Sequence, residues 1–147
     1  MKLADAVKRA KRVYIIGNGG SYANAIHMCN DLLSAGVRAF TIDPATLTAF
    51  ANDFSYESAL SRWLQIVGEE GDLLIALTGS GKSQNIVQAL EAADAIGVES
   101  WTLTGAYHDG FPVKELSDHC TQYGKDMQDA EERQIQMGHK VMRCLTA

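Results

Sequence analysis

Residues Val13-Tyr14-Ile15-Ile16-Gly17-Asn18-Gly19-Gly20-Ser21 run from a short apolar stretch straight into a glycine-rich turn, and a helical pattern follows from Tyr22 to about Leu33. Strand, tight glycine turn and helix in that order are the layout of a parallel α/β sheet with a site at the strand's C-terminal edge. Glycine lets the backbone approach a ligand, and the N–H groups opening the next helix favour an anion. A second such unit is Leu73-Leu74-Ile75-Ala76-Leu77-Thr78-Gly79-Ser80-Gly81-Lys82-Ser83. Two turns at one sheet edge can wrap one ligand, and the hydroxyls of Thr78, Ser80 and Ser83 suit a phosphate monoester. Taken singly, each turn is also an ordinary strand–helix connection with serine as N-cap. The pair points to a phosphorylated ligand.

The rest of the chain repeats the alternation. Lys2–Arg12 reads as a short helix, with strands at 13–17, 39–42, 73–78 and 99–104 and a weaker one at 119–123. Helices are expected at 54–68, 83–96 (stopped by Gly97) and 127–145, and 46–51 is helical or irregular. The long helix carrying Trp63 has an apolar face larger than one sheet covers, which suggests a partner surface. His108 and His119 fall in or beside loops and are expected to be exposed. Strands that are continuous apolar runs argue a mostly parallel sheet covered on both faces, within a single domain over 1–147. Right-handed crossovers put both glycine turns on one edge.

A net charge of −5 without a basic tract disfavours nucleic acid as a main partner. No apolar run reaches the length of a membrane span, and the opening Met1–Val7 is amphipathic without an apolar signal core. Cys29, Cys120 and Cys144 lack CxxC spacing, so the expectation is a reducing, cytoplasmic setting. Two look-alike motifs fail. The dinucleotide fingerprint would need glycine at Tyr22, and a nucleotide P-loop ending in Gly81-Lys82-Ser83 would need glycine at Ala76, inside the strand.

Further blocks follow: His27; Ala51-Asn52-Asp53-Phe54-Ser55-Tyr56-Glu57 with Arg62; Thr78–Asn85; Leu103-Thr104-Gly105; and Gln134-Ile135-Gln136 with His139. In that order they resemble the sugar isomerase (SIS) domain, and within it the phosphoheptose isomerases, from Val13 to Leu145. The resemblance implies a flavodoxin-like three-layer α/β/α sandwich with a mostly parallel five-stranded sheet, assembled as a homo-oligomer. It implies an aldose–ketose isomerase that converts sedoheptulose 7-phosphate to D-glycero-D-manno-heptose 7-phosphate. Asn18, Gly19, Gly20, Ser21, Asn52 and Asp53 would hold the substrate, and Thr78, Gly79, Ser80 and Ser83 its phosphate. Gln136 would touch substrate and a zinc ion, and His27 would be a zinc ligand.

The chain departs from that pattern. Asp31 stands where the family has a glutamate that is both metal ligand and base, and Cys144 stands where a histidine follows the glutamine by eight residues. Asp31 can still serve as the base of an enediol proton transfer, with His139 or Cys144 as acid, and His139 is also a reserve metal ligand. His27, Asp31, Gln136 and Cys144 form a possible zinc set, since a thiolate is a competent zinc ligand. Gln136 and Cys144 lie about 80° apart around a helix, so one site could use both. Equally, Cys144 is a small apolar residue on an amphipathic helix, and Asp31 a solvated one. A non-catalytic SIS module that senses a phosphosugar or acts as an adaptor, including relatives that bind a replication initiator, is the alternative function.

Overall fold

The computed structural model describes residues 2–147. Strands β1 (Val13–Gly17), β2 (Ala39–Phe40), β3 (Leu73–Thr78), β4 (Glu99–Thr104) and β5 (His119–Gln122) form one five-stranded sheet in the order β2-β1-β3-β4-β5. Every neighbouring pair is parallel. The helices are α1 (Leu3–Arg9), α2 (Gly20–Ser34), α3 (Pro44–Asp53), α4 (Tyr56–Val67), α5 (Gln84–Ile96), α6 (Val113–Leu116) and α7 (Met127–Leu145).

The alternation of side chains along the central strands makes the three layers. Val13, Ile15, Ile75, Leu77, Trp101 and Leu103 pack under α1, α2 and α7. Tyr14, Ile16, Leu74 and Ala76 face the other way, against α4 and α5. With both faces covered, β1 and β3 are buried along their whole length, which is why they read as unbroken apolar runs.

The strand order reverses direction between β1 and β3. The chain leaves β1 towards β2 on one side and returns to β3 on the other, the switch point at which parallel sheets open a crevice. Gly17 pairs with Leu77, so both strands end in step and both glycine turns start at one level.

The structure corrects several boundaries. The first helix ends at Arg9 rather than Arg12, because Ala10 is already extended (ψ 142°) and Arg9 reaches Glu99 at 2.7 Å. The second strand stops at Phe40. Asp43 then caps α3 by accepting from the Thr46 N–H at 3.0 Å, with Pro44 at the first turn. Helix α6 lies in a segment read as loop. Trp63 does not supply an open face: it is half-buried, edge-on to Tyr14 at 5.6 Å, and the exposed large hydrophobic residues of α4 are Tyr56 and Ile66. No helix among the described residues is long and apolar enough to cross a membrane.

Candidate functional site

At the switch point, Asn18, Gly19, Gly20 and Ser21 face Thr78, Gly79, Ser80 and Ser83 across one pocket of about 240 Å³. The two turns that sequence patterning paired are therefore one site. The Thr78 hydroxyl oxygen accepts from the Gly81 N–H at 3.2 Å, and Ser80 Oγ accepts from the Lys82 N–H at 3.3 Å. Both acceptors are used by the turn itself, which leaves the hydroxyl protons for a ligand. Ser83 is the N-cap of α5, yet its side chain makes no capping bond, and Gly19 leaves α2 uncapped by any side chain. Two helix N-termini thus present free N–H groups and positive dipole ends beside one pocket, a setting for an anion.

The turns are tied together by side-chain amides. Asn18 Nδ2 donates to Asn85 Oδ1 at 2.9 Å, and Asn85 Nδ2 donates back to Asn18 Oδ1 at 2.7 Å. The Tyr56 hydroxyl donates to the same Asn18 oxygen. Asn18 is consequently a strut between turns as well as a wall of the pocket. Ser21 is buried and accepts from Gln134 Nε2 at 3.1 Å. Asn52 and Asp53 are exposed at the end of α3, bonded to each other at 3.1 Å, and do not line the pocket. Of their block, Tyr56 touches a wall of the pocket, through its bond to Asn18.

A second group lies in the groove between α2 and α7. His27 Nε2 is 3.2 Å from His139 Nε2 and 3.3 Å from Asp31 Oδ2, and His139 Nε2 is 3.6 Å from the same oxygen. Ligands about 2.0–2.1 Å from a tetrahedral zinc stand roughly 3.3–3.4 Å apart. The three donors therefore have the spacing of one face of such a tetrahedron, and their N/N/O chemistry suits zinc.

Gln136 and Cys144 do not join that group. Helix α7 buries Ala130, Gln134, Gly138 and Val141. Gln136 lies about 200° around from Gln134 and so points outward. Its Oε1 accepts from Arg133 at 3.2 Å, and it shares with His139 and Tyr123 a surface cavity of about 430 Å³. Cys144 is exposed and lines a different cavity, with Leu3 and Trp101. His139 occupies the position for which Cys144 was considered, and eight residues before it stands Glu131 rather than Gln136.

Glu131 is the acid that sequence reading missed. It lines the turn pocket, and a methyl group on Gly20 would run into its carboxylate, so a side chain there would displace it. Counting eight residues back from His139 would have found it. His108 and His119, expected to be exposed, are half-buried and bonded. His108 Nε2 lies 2.9 Å from the Gly79 carbonyl, and His119 stacks on Trp101 at 4.6 Å and faces Glu99 at 3.2 Å. Burial pushes the Tyr123 phenol up to about 12, and its hydroxyl has no partner.

A parallel sheet whose switch point carries two polar glycine turns defines an α/β protein with an anion-accepting crevice, and residues 1–105 match the model of the SIS domain. The chain belongs to the SIS domain family. Within it the chain groups with the phosphoheptose isomerases. It is 37% identical over 146 residues to the phosphoheptose isomerase of Akkermansia muciniphila, covering 93% of this chain and 76% of that protein. It is 42% identical over 110 residues to that of Serratia proteamaculans, covering 70% of this chain and 57% of the relative. The structure of phosphoheptose isomerase from Neisseria gonorrhoeae superposes with a TM-score of 0.89 at 25% identity, over 98% of this chain and 80% of that one. The matched stretch thus spans between 57% and 76% of these two curated relatives' length.

Proposed function

We propose that this protein is an aldose–ketose isomerase interconverting sedoheptulose 7-phosphate and D-glycero-D-manno-heptose 7-phosphate. The observation that carries the reading is the single pocket built from both turns, with two uncapped helix N-termini beside it. The phosphate sits there, bound by the hydroxyls of Thr78, Ser80 and Ser83 and by backbone N–H groups. Helix α2 rises about 1.5 Å per residue, so His27 lies about 10 Å along the axis from Gly20. An extended heptose 7-phosphate, at about 1.2 Å per bond, spans about 10 Å from C1 to phosphorus. That span is compatible with the reacting end lying near His27, Asp31 and His139.

In the ketose-to-aldose direction Asp31 takes a proton from C1, and His139 gives one to the C2 carbonyl oxygen, which yields the cis-enediol. Loss of the O1 proton and return of the carbon proton to C2 complete the aldose. Where His27, Asp31 and His139 hold a zinc ion, His139 Nε2 would be a ligand rather than the proton donor, solvent would protonate the C2 oxygen, and the metal would supply stabilisation of negative charge there. Glu131 adds a second carboxylate on the pocket side. Exposed Phe40, Phe54 and Ile66 support a homo-oligomer.

The test is an NMR time course with sedoheptulose 7-phosphate in deuterated water, with and without zinc. Aldose signals carrying deuterium at C2 are expected, at a rate that zinc raises. Phosphosugar binding with no aldose formed would overturn the isomerase. A non-catalytic phosphosugar-binding module is the second reading, favoured by one observation: Asp31 does not line the turn pocket.

A further inference from the structure

We propose that His108 is a positioning residue for phosphate binding: it fixes the Gly79–Ser80 peptide so that the Ser80 N–H faces the ligand. The proposal rests on the phosphosugar reading of the turn pocket. His108 stands in the loop after β4, four residues beyond Thr104, on the side of β3 opposite β1. The Gly110 N–H donates to His108 Nδ1 at 2.8 Å. Nδ1 is therefore the acceptor nitrogen, and the ring proton resides on Nε2. That Nε2–H donates to the Gly79 carbonyl at 2.9 Å, with Thr104 Oγ1 3.2 Å from the same nitrogen. The Gly105 N–H donates to the same carbonyl at 3.2 Å.

In a trans peptide the carbonyl and the following N–H point in opposite directions. Holding the Gly79 carbonyl towards β4 turns the Ser80 N–H towards β1, the side on which the pocket lies. The ring also rests on Gly81, whose φ is +68°: a methyl group there would meet His108 Cε1 at 2.7 Å. Ring and glycine together hold the turn in its anion-accepting shape. Gln122 Nε2 donates to the His108 carbonyl at 3.2 Å and so braces the loop from β5.

The experiment is calorimetric titration of wild type, His108→Ala and His108→Gln with sedoheptulose 7-phosphate, alongside melting temperatures. A second titration follows the Ser80 amide by NMR with inorganic phosphate. His108→Ala is expected to bind the phosphosugar about tenfold more weakly, the worth of one well-made hydrogen bond. His108→Gln, whose amide can donate to the same carbonyl, is expected to restore binding. Where turnover is measured, the loss should fall on KM rather than kcat. Phosphate should shift the Ser80 amide in wild type and in His108→Gln, and much less in His108→Ala. Wild-type affinity in His108→Ala overturns the proposal. So does an unshifted Ser80 amide in wild type that binds phosphate. Should His108→Ala not fold, failure of folded His108→Gln to match wild-type binding overturns it. If wild type binds the phosphosugar without turning it over, the isomerase reading fails and the affinities still decide the role of His108. If wild type binds neither ligand, both readings fall.

Discussion

Replacing His139 by alanine should cost the protein about a hundredfold in zinc affinity, whereas Cys144→Ser should leave it unchanged. The magnitude follows from the donor triangle. Its edges of 3.2, 3.3 and 3.6 Å need little rearrangement to become one face of a zinc tetrahedron, so each donor contributes close to its full share. Disturbing an outer-shell partner of a metal ligand already costs about 10–100-fold. Loss of a direct ligand belongs at the upper end of that range, and a hundredfold corresponds to about 2.7 kcal/mol at 1.36 kcal/mol per decade. Cys144 is exposed beside Leu3 and Trp101 and contributes no donor to the triangle. The assay is competition against a chromophoric chelator, with the apo proteins' melting temperatures as control. A His139→Ala protein that keeps wild-type affinity would refute the reasoning. So would loss of zinc on Cys144→Ser, which would restore the alternative ligand set.

Three further outcomes are expected. Asn85→Ala removes both amide bonds to Asn18 and should cost about 1–3 kcal/mol, raising the phosphosugar KM; urea melts and steady-state kinetics check it. Tyr123→Phe removes a buried, unpartnered hydroxyl and should leave stability unchanged or slightly higher at neutral pH. The Tyr123 proton is held more tightly in the folded state, up to about 12, so wild-type stability should be full below about 10 and fall as pH rises towards 12. That part of the decline should vanish in Tyr123→Phe, as followed by denaturant melts across that window. Ile75→Ala, at the centre of the sheet, should cost about 2–5 kcal/mol, seen as a lower urea midpoint at unchanged m.

The sheet was legible because its signals are local. Val13–Gly17 and Leu73–Thr78 are apolar runs bounded by turns, Glu99–Thr104 alternates around Trp101 and Leu103, and each became a strand with the expected ends. Helix α7 likewise ran from Met127 to Leu145 as its periodicity indicated. Short elements were less legible. Helix α6 spans only Val113–Leu116, too few residues for a periodic pattern. The loop bearing His108 was indistinguishable from a solvated one, because its partner at Gly79 comes within reach only once β3 and β4 are side by side.

What the amino-acid sequence determined by itself was a parallel α/β chain with two polar glycine turns. Strand extent, turn conformation and helix starts depend on residues close in the chain. Only the tertiary structure decided which side chains of α7 face α2. Gln136 with Cys144 and Glu131 with His139 have the same eight-residue spacing and hence the same 80° separation. Spacing fixes relative angle around one axis and says nothing of where a neighbouring helix lies. Burial of Ala130, Gln134 and Gly138 against the α2 side sets the rotation of α7, and that rotation carries His139 to His27 and Asp31, and Glu131 to the turn pocket.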